Sequence, residues 1–202
     1  MSYFPFFMEI GQKPCLVVGG GTVALRKIEK LLPFGTKITV VAPVFCREIA
    51  EMTGISRICR PFAPADTEGM LFVIGATDDA AVNHEISAVC SAKSIPVNIV
   101  DDPKGCSFLF PALVKRGELV AGISTGGGSP LAAQFIRKRV EEAIPPGFAD
   151  VVGQMAALRE RILREIPDSS AREEILRELF ALALDGQNDL QQETERRLRE
   201  YE

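Results

Sequence analysis

The residues best suited to chemistry in this 202-residue chain are a glycine turn, two carboxylate-bearing strand ends and a second glycine-rich loop. Gly19-Gly20-Gly21-Thr22-Val23-Ala24 fits G-x-G-x-x-A, directly after the apolar run Cys15 to Val18 and at the opening of an amphipathic segment. In that context Gly19 permits a tight turn, Gly21 lets a pyrophosphate approach the backbone, and Ala24 lets helix pack on strand. The free N–H groups and dipole of the helix favour the phosphate charge. Dinucleotide binding follows. The acid that usually stands about 20 residues further on, to hold the ribose 2′-hydroxyl, is absent because Val41, Ala42 and Pro43 occupy that position. The fingerprint alone therefore does not choose between NAD and NADP. Ala76-Thr77-Asp78-Asp79 follows another apolar run, where an open α/β sheet places its ligand crevice; Thr77 or Asp78 is equally suited to cap the next helix. Asp101 ends a further run and could act as a general base, although Asp-Asp-Pro by itself is turn chemistry. Ser124-Thr125-Gly126-Gly127-Gly128-Ser129-Pro130 is a second anion site in waiting. His84, off the apolar face formed by Val82, Ile86, Val89 and Cys90, reads as a solvated side chain.

These residues need a scaffold, and the apolar pattern supplies one. Strands are expected at 14–18, 37–42, 56–60, 71–76 and 96–100, with helices at 22–32, 47–52 and 79–93 between them. Near-continuous apolar strands alternating with amphipathic helices specify a parallel sheet covered on both faces. After Asp101 the rhythm changes. Two β-rich runs, 112–115 and 118–123, flank an expected turn at Arg116-Gly117, and Ser129-Pro130 signals a helix to about Ala143. Beyond Pro145-Pro146-Gly147 the pattern is helical: Val151, Met155, Leu158 and Ile162 form one stripe, and Ser170-x-x-Glu173 reads as a capping box for the next helix. That helix carries Ile175, Leu176, Leu179, Phe180 and Leu182 inward, and only Leu190 and Leu198 can anchor the charged end from Gln187 onward. The expected fold is a Rossmann-like doubly wound α/β domain over residues 1–112, a small β-plus-helix segment over 113–147 and a helical domain over 148–202.

Composition narrows the function further. Hydrophobic residues make up 47% and charged residues 25%, enough to bury a real core and inconsistent with disorder. A formal charge of −4 argues against nucleic-acid binding, which shows as a basic domain or stripe. No apolar run approaches the roughly 20 residues of a membrane span and no leader pattern opens the chain, so a cytoplasmic protein is expected. Five scattered cysteines without a C-x-x-C pair, beside a single histidine, offer neither a disulfide framework nor a metal-ligand set.

Together the motifs resemble the precorrin-2 dehydrogenase and sirohydrochlorin ferrochelatase family, the dehydrogenase-chelatase module of siroheme synthases. The matching stretches are Tyr3-Phe4-Pro5, Val17-Val18-Gly19-Gly20-Gly21 with Ala24-x-Arg26-Lys27, and Val40-x-Ala42-Pro43. They continue through Ala76-Thr77-Asp78-Asp79 with Val82-Asn83, Asn98-x-Val100-Asp101, Ser107-Phe108, Pro111, and Ser124-Thr125-Gly126-Gly127 before Ser129-Pro130. The resemblance implies NAD-dependent oxidation of precorrin-2, a tetrapyrrole with eight carboxylates, to sirohydrochlorin, with Fe²⁺ as a further substrate in bifunctional members. It implies Asp101 as the proton acceptor in both reactions. The implied cofactor contacts are Gly19, Gly21, Thr22, Val23, Pro43, Val44 and Thr77. Asn98, Ser124, Thr125, Lys104 and Arg116 would face the substrate, with Lys115, Arg137 and Arg139 also available to its carboxylates; Thr125 stands where some members carry a phosphorylatable serine. The family forms homodimers through the segment after the nucleotide domain. Methylation of the precursor is expected from a separate enzyme. A non-catalytic dinucleotide-binding regulator is the alternative reading; it would need neither Asp101 nor an anion pocket.

Overall fold

A computed structural model describes residues 3–185 and 190–200. The chain divides into two compact units, Met1–Phe110 and Pro111–Glu202. In the first, β1 (Pro14–Val18), β2 (Lys37–Ala42), β3 (Ile55–Cys59), β4 (Phe72–Gly75) and β5 (Val97–Ile99) form a five-stranded sheet in the order β3-β2-β1-β4-β5. Every pairing is parallel. The helices are α1 (Thr22–Leu31), α2 (Arg47–Glu51) and α3 (Ala80–Ala92).

Side chains alternate across a strand, so β1 feeds two cores at once. Cys15 and Val17 pack with Ala24, Ile28 and Leu31 of α1 on one face, while Leu16 and Val18 pack with Ile86 and Cys90 of α3 on the other. Full burial of each large aliphatic side chain contributes roughly 1.5–3 kcal/mol. Because β1 sits between β2 and β4, the winding reverses beside it, and a crevice opens at the carboxyl ends of these strands.

β5 is shorter than its apolar run. Val100 N–H still donates to Gly75 O at 2.9 Å, but Asp101 takes φ +60°, a left-handed conformation that ends the extended ladder. The cap of α3 is neither Thr77 nor Asp78: the Asp79 carboxylate accepts from the N–H groups of Ala81 and Val82.

In the second unit β6 (Ala112–Arg116) and β7 (Leu119–Ile123) form an antiparallel hairpin. Its turn falls on Gly117-Glu118 rather than Arg116-Gly117, because Arg116 still pairs with Leu119 and Gly117 supplies the positive φ of +56° at the first loop position. Then come α4 (Pro130–Ala143), α5 (Phe148–Glu165), α6 (Ser169–Leu184) and α7 (Leu190–Arg199). Ser129 caps α4 as its sequence requires, accepting from Ala132 N–H at 3.2 Å. The expected capping box at Ser170 is not used. Asp168 caps α6 through Ala171 N–H at 2.8 Å, so the buried stripe Ala171, Ile175, Leu179 and Ala183 starts within the first turn. Leu190 and Leu198 are both buried and anchor α7; positions 187–189, 201 and 202 of that charged segment lie outside the described residues.

Candidate dinucleotide site

The crevice at the carboxyl ends of the central strands is a cavity of about 1210 Å³, lined by Gly19, Gly21, Thr22, Val23, Pro43, Val44, Thr77 and Asp101 among others. Three consecutive glycines build its floor, each for a different reason. Gly19 has φ +128°, and a Cβ there would stand 2.3 Å from Ala76 O. A Cβ on Gly20 would stand 1.9 Å from Val44 O, and Gly20 O accepts from Cys46 N–H at 2.7 Å. Gly20 thus lets the turn touch the loop after β2. Gly21 faces open space, with nothing within 4 Å of its would-be Cβ, and caps α1 with no side-chain acceptor on the helix's first N–H groups. Open space over unsatisfied helix N–H groups fits a pyrophosphate.

Beside the turn, Thr77 is held by Asn83. Asn83 Nδ2 donates to Thr77 O at 2.9 Å, and the Thr77 hydroxyl donates to Asn83 Oδ1 at 2.9 Å. At the end of β2 the exposed Val44 and Pro43 make an apolar shelf without a carboxylate. Phe62 and Cys46 complete that side.

Asp101 sits on the opposite wall, exposed, in its left-handed conformation. The segment that carries it is closed by bonds around Cys106, whose sulfur accepts from Ile99 N–H at 3.1 Å. Burial pushes the Cys106 thiol up, away from thiolate. Asn98 is elsewhere: its side chain is buried and does not line the cavity. Its Nδ2 donates to Phe108 O at 3.0 Å, and its Oδ1 accepts from Lys27 Nζ at 3.2 Å. Lys104 is exposed on the short turn Pro103–Gly105, after the cavity wall.

Arg116, Ser124 and Thr125 belong to the second unit. Arg116 pairs with Glu141 at 2.6 Å and Arg137 pairs with the same carboxylate at 2.5 Å, while Arg139 pairs with Glu142. The Ser124 hydroxyl accepts from Gly126 N–H at 3.1 Å, and the Thr125 hydroxyl donates to Ser129 O at 3.0 Å. Both shape the loop that leads into α4. His84 is exposed at the mouth of the cavity. Gly20 and Asn83, which line the cavity, and Lys27, which does not, stand in the matching stretches but are not among the expected site residues. Gly20 carries its signal as the middle member of a glycine run, at a position where the fingerprint accepts any residue.

A doubly wound parallel sheet whose reversal point carries this glycine turn is a dinucleotide-binding domain. The chain belongs to the NAD(P)-binding family NAD_binding_7, whose model matches residues 6–112. It is 36% identical over 202 residues to the siroheme synthase of Thioalkalivibrio sulfidiphilus, a match that covers 96% of this chain and 41% of that protein. With the siroheme synthase of Methylococcus capsulatus it shares 41% identity over 175 residues, 85% of this chain and 37% of the relative. The chain therefore spans about two-fifths of the length of these relatives. Among solved structures it is similar to SirC, precorrin-2 dehydrogenase, with a TM-score of 0.77 at 28% identity, over 96% of this chain and 100% of that one. The family resemblance expected from the motifs is borne out. Among the described residues no helix is long and apolar enough to cross a membrane.

Proposed function

We propose that this protein oxidises precorrin-2 to sirohydrochlorin with NAD⁺, in the cytoplasm and as a homodimer. The observation that carries this reading is the placement of Asp101 in the same cavity as the glycine turn, in a chain similar along nearly its whole length to a precorrin-2 dehydrogenase. The dinucleotide, when bound, accepts the hydride that the substrate gives up. The chain's own part is to hold the pyrophosphate on Gly19, Gly21, Thr22 and Val23, to seat the adenosine half on Pro43 and Val44, and to bring Thr77 beside the nicotinamide. Asp101 takes the proton released with the hydride, a role worth about 10²–10⁴-fold in rate for a positioned base. Fe²⁺ insertion, with the metal as substrate, calls on the same carboxylate to take the pyrrole N–H protons while the macrocycle supplies the nitrogen ligands.

The loop from Ser124 to Ser129 at the α4 N-terminus, with Arg116 and Lys104, is the proposed source of contacts to substrate carboxylates. Residues 113–147 are the proposed dimerisation segment. Supporting this, α4 exposes Leu131 at 79% and Phe135 at 59%, one turn apart on one face.

The test is anaerobic incubation of the protein with NAD⁺ and enzymatically made precorrin-2, without metal. Stoichiometric NADH absorbance and the sirohydrochlorin spectrum are expected. NAD⁺ binding with neither signal would contradict the reading and favour the regulatory module.

A further inference from the structure

Lys27 lies on α1, the helix that opens from the glycine turn, yet it does not line the cavity. Its ammonium is half-buried, donating to Asn98 Oδ1 at 3.2 Å and sitting 4.2 Å from the centre of the Phe110 ring. Asn98 is itself fixed, since its Nδ2 donates to Phe108 O and to Cys106 Sγ. The Cys106 sulfur in turn bonds to Ile99 N–H and O and to Asp102 O. One chain of contacts therefore runs from the helix of the nucleotide turn, through the end of β5, into the short segment that holds Asp101 at φ +60°. A residue in that conformation persists only where its surroundings over-determine it.

We propose that Lys27 is a positioning residue for the proton-accepting step: its ammonium, clamped by Asn98 and Phe110, locks the segment that carries Asp101. The proposal rests on Asp101 being the base described above. Deprotonation would remove the cation that faces the Phe110 ring and the charge that strengthens the bond to Asn98. Loss of the lysine would also leave the buried Asn98 oxygen without its partner, loosening the same segment. The groups acting on Lys27 are Lys30 on its own helix and Cys106 and Asp101 after β5. Burial lowers its proton affinity most and Lys30 lowers it further, while Cys106 and Asp101 raise it; the balance is below the ordinary lysine value.

Steady-state oxidation of precorrin-2 across pH, with NAD⁺ binding measured separately, tests this in the wild type, Lys27→Met, Lys27→Arg and Asp101→Asn. Lys27→Met is expected to lower kcat about tenfold, as small misplacements of a reacting group do, with NAD⁺ affinity within about twofold of wild type. Wild-type turnover is expected to fall as pH rises through loss of the Lys27 proton, below the ordinary lysine range. Lys27→Arg is expected to keep turnover and abolish that alkaline fall, because a guanidinium does not deprotonate. Full turnover in Lys27→Met, or an unchanged alkaline fall in Lys27→Arg, overturns the proposal. Should Lys27→Met lose NAD⁺ binding through misfolding, the alkaline limb of Lys27→Arg decides alone. Turnover retained in Asp101→Asn would instead contradict the base assignment, whatever the lysine variants do.

Discussion

In residues 3–110 the stabilising material is a sheet: Leu16, Val17, Val40, Ile74 and Ile86 are fully buried on its two faces. In α5, α6 and α7 it is a single small cluster around Ile162, Ile175 and Leu179, and the surface over it is laced with arginine–glutamate pairs. Arg161 pairs with Glu165 at 3.2 Å and with Glu195 at 2.7 Å, and Arg197 pairs with Glu178. The chemistry-bearing cavity belongs to the first kind of structure. A glycine turn that tolerates no Cβ at Gly19 or Gly20 needs a rigid floor, and a sheet buried on both faces provides it. Exposed ion pairs contribute little each and weaken with salt, so the helical unit is the more sensitive of the two to solution conditions.

The largest effect that separates the units is expected from Leu179→Ala, which empties the centre of the helical cluster at a cost of about 2–5 kcal/mol. Thermal unfolding should lose or lower the helical transition while NAD⁺ affinity stays near wild type. A parallel loss of NAD⁺ binding would show that the two units do not act separately. Within the nucleotide unit, Gly20→Ala should weaken NAD⁺ about 100-fold, roughly 2.7 kcal/mol, and lower the melting temperature, since its Cβ would collide with Val44 O. Gly21→Ala should weaken NAD⁺ with the melting temperature nearly kept, because only open space is filled. Calorimetric titration beside thermal melts reads both.

The smallest effect is in acid. The hydrogen bond from Arg196, with Arg197 behind it, holds the Glu193 carboxyl down at about 2, and Arg161 lowers Glu195. An unfolded glutamate titrates near 4.3, so a carboxyl lowered in the folded state contributes stability that is present above that value. The contribution is lost as pH falls toward the folded value. The helical unit should therefore lose stability between about pH 4.5 and pH 2, modestly and less so in high salt. In the nucleotide unit Asp66, held down by its bond from Arg60, has the same sign. Helical melting followed against NAD⁺ binding across this range sharpens the comparison; equal acid sensitivity of both units would contradict it.

Most of the sheet was legible because β1, β2, β4 and β5 lie within apolar runs ended by Gly, Pro or a polar turn; β1 and β2 begin and end where these signals lie. Caps were harder to read. Asp78 and Asp79 are equally competent, as are Asp168, Ser169 and Ser170, and the choice falls to the register that buries Ile86 or Ala171. The glycine turn was legible as local chemistry, but the need for Gly20 arises from Val44, 24 residues away in sequence. Asn98 lies beside the Asp101 motif in sequence, yet its amide is turned inward to Lys27, a pairing 71 residues apart that no local pattern encodes.

On the proposed reading Asp101, and not the nucleotide cradle alone, makes this chain an enzyme. The most direct test of this claim is Asp101→Asn, nearly equal in volume and unable to take the proton, compared with wild type in single-turnover oxidation of precorrin-2 with NAD⁺ binding measured in parallel. Unchanged NAD⁺ affinity with NADH formation slowed by about 10²–10⁴-fold is the predicted result. NADH formation at the wild-type rate would contradict the claim.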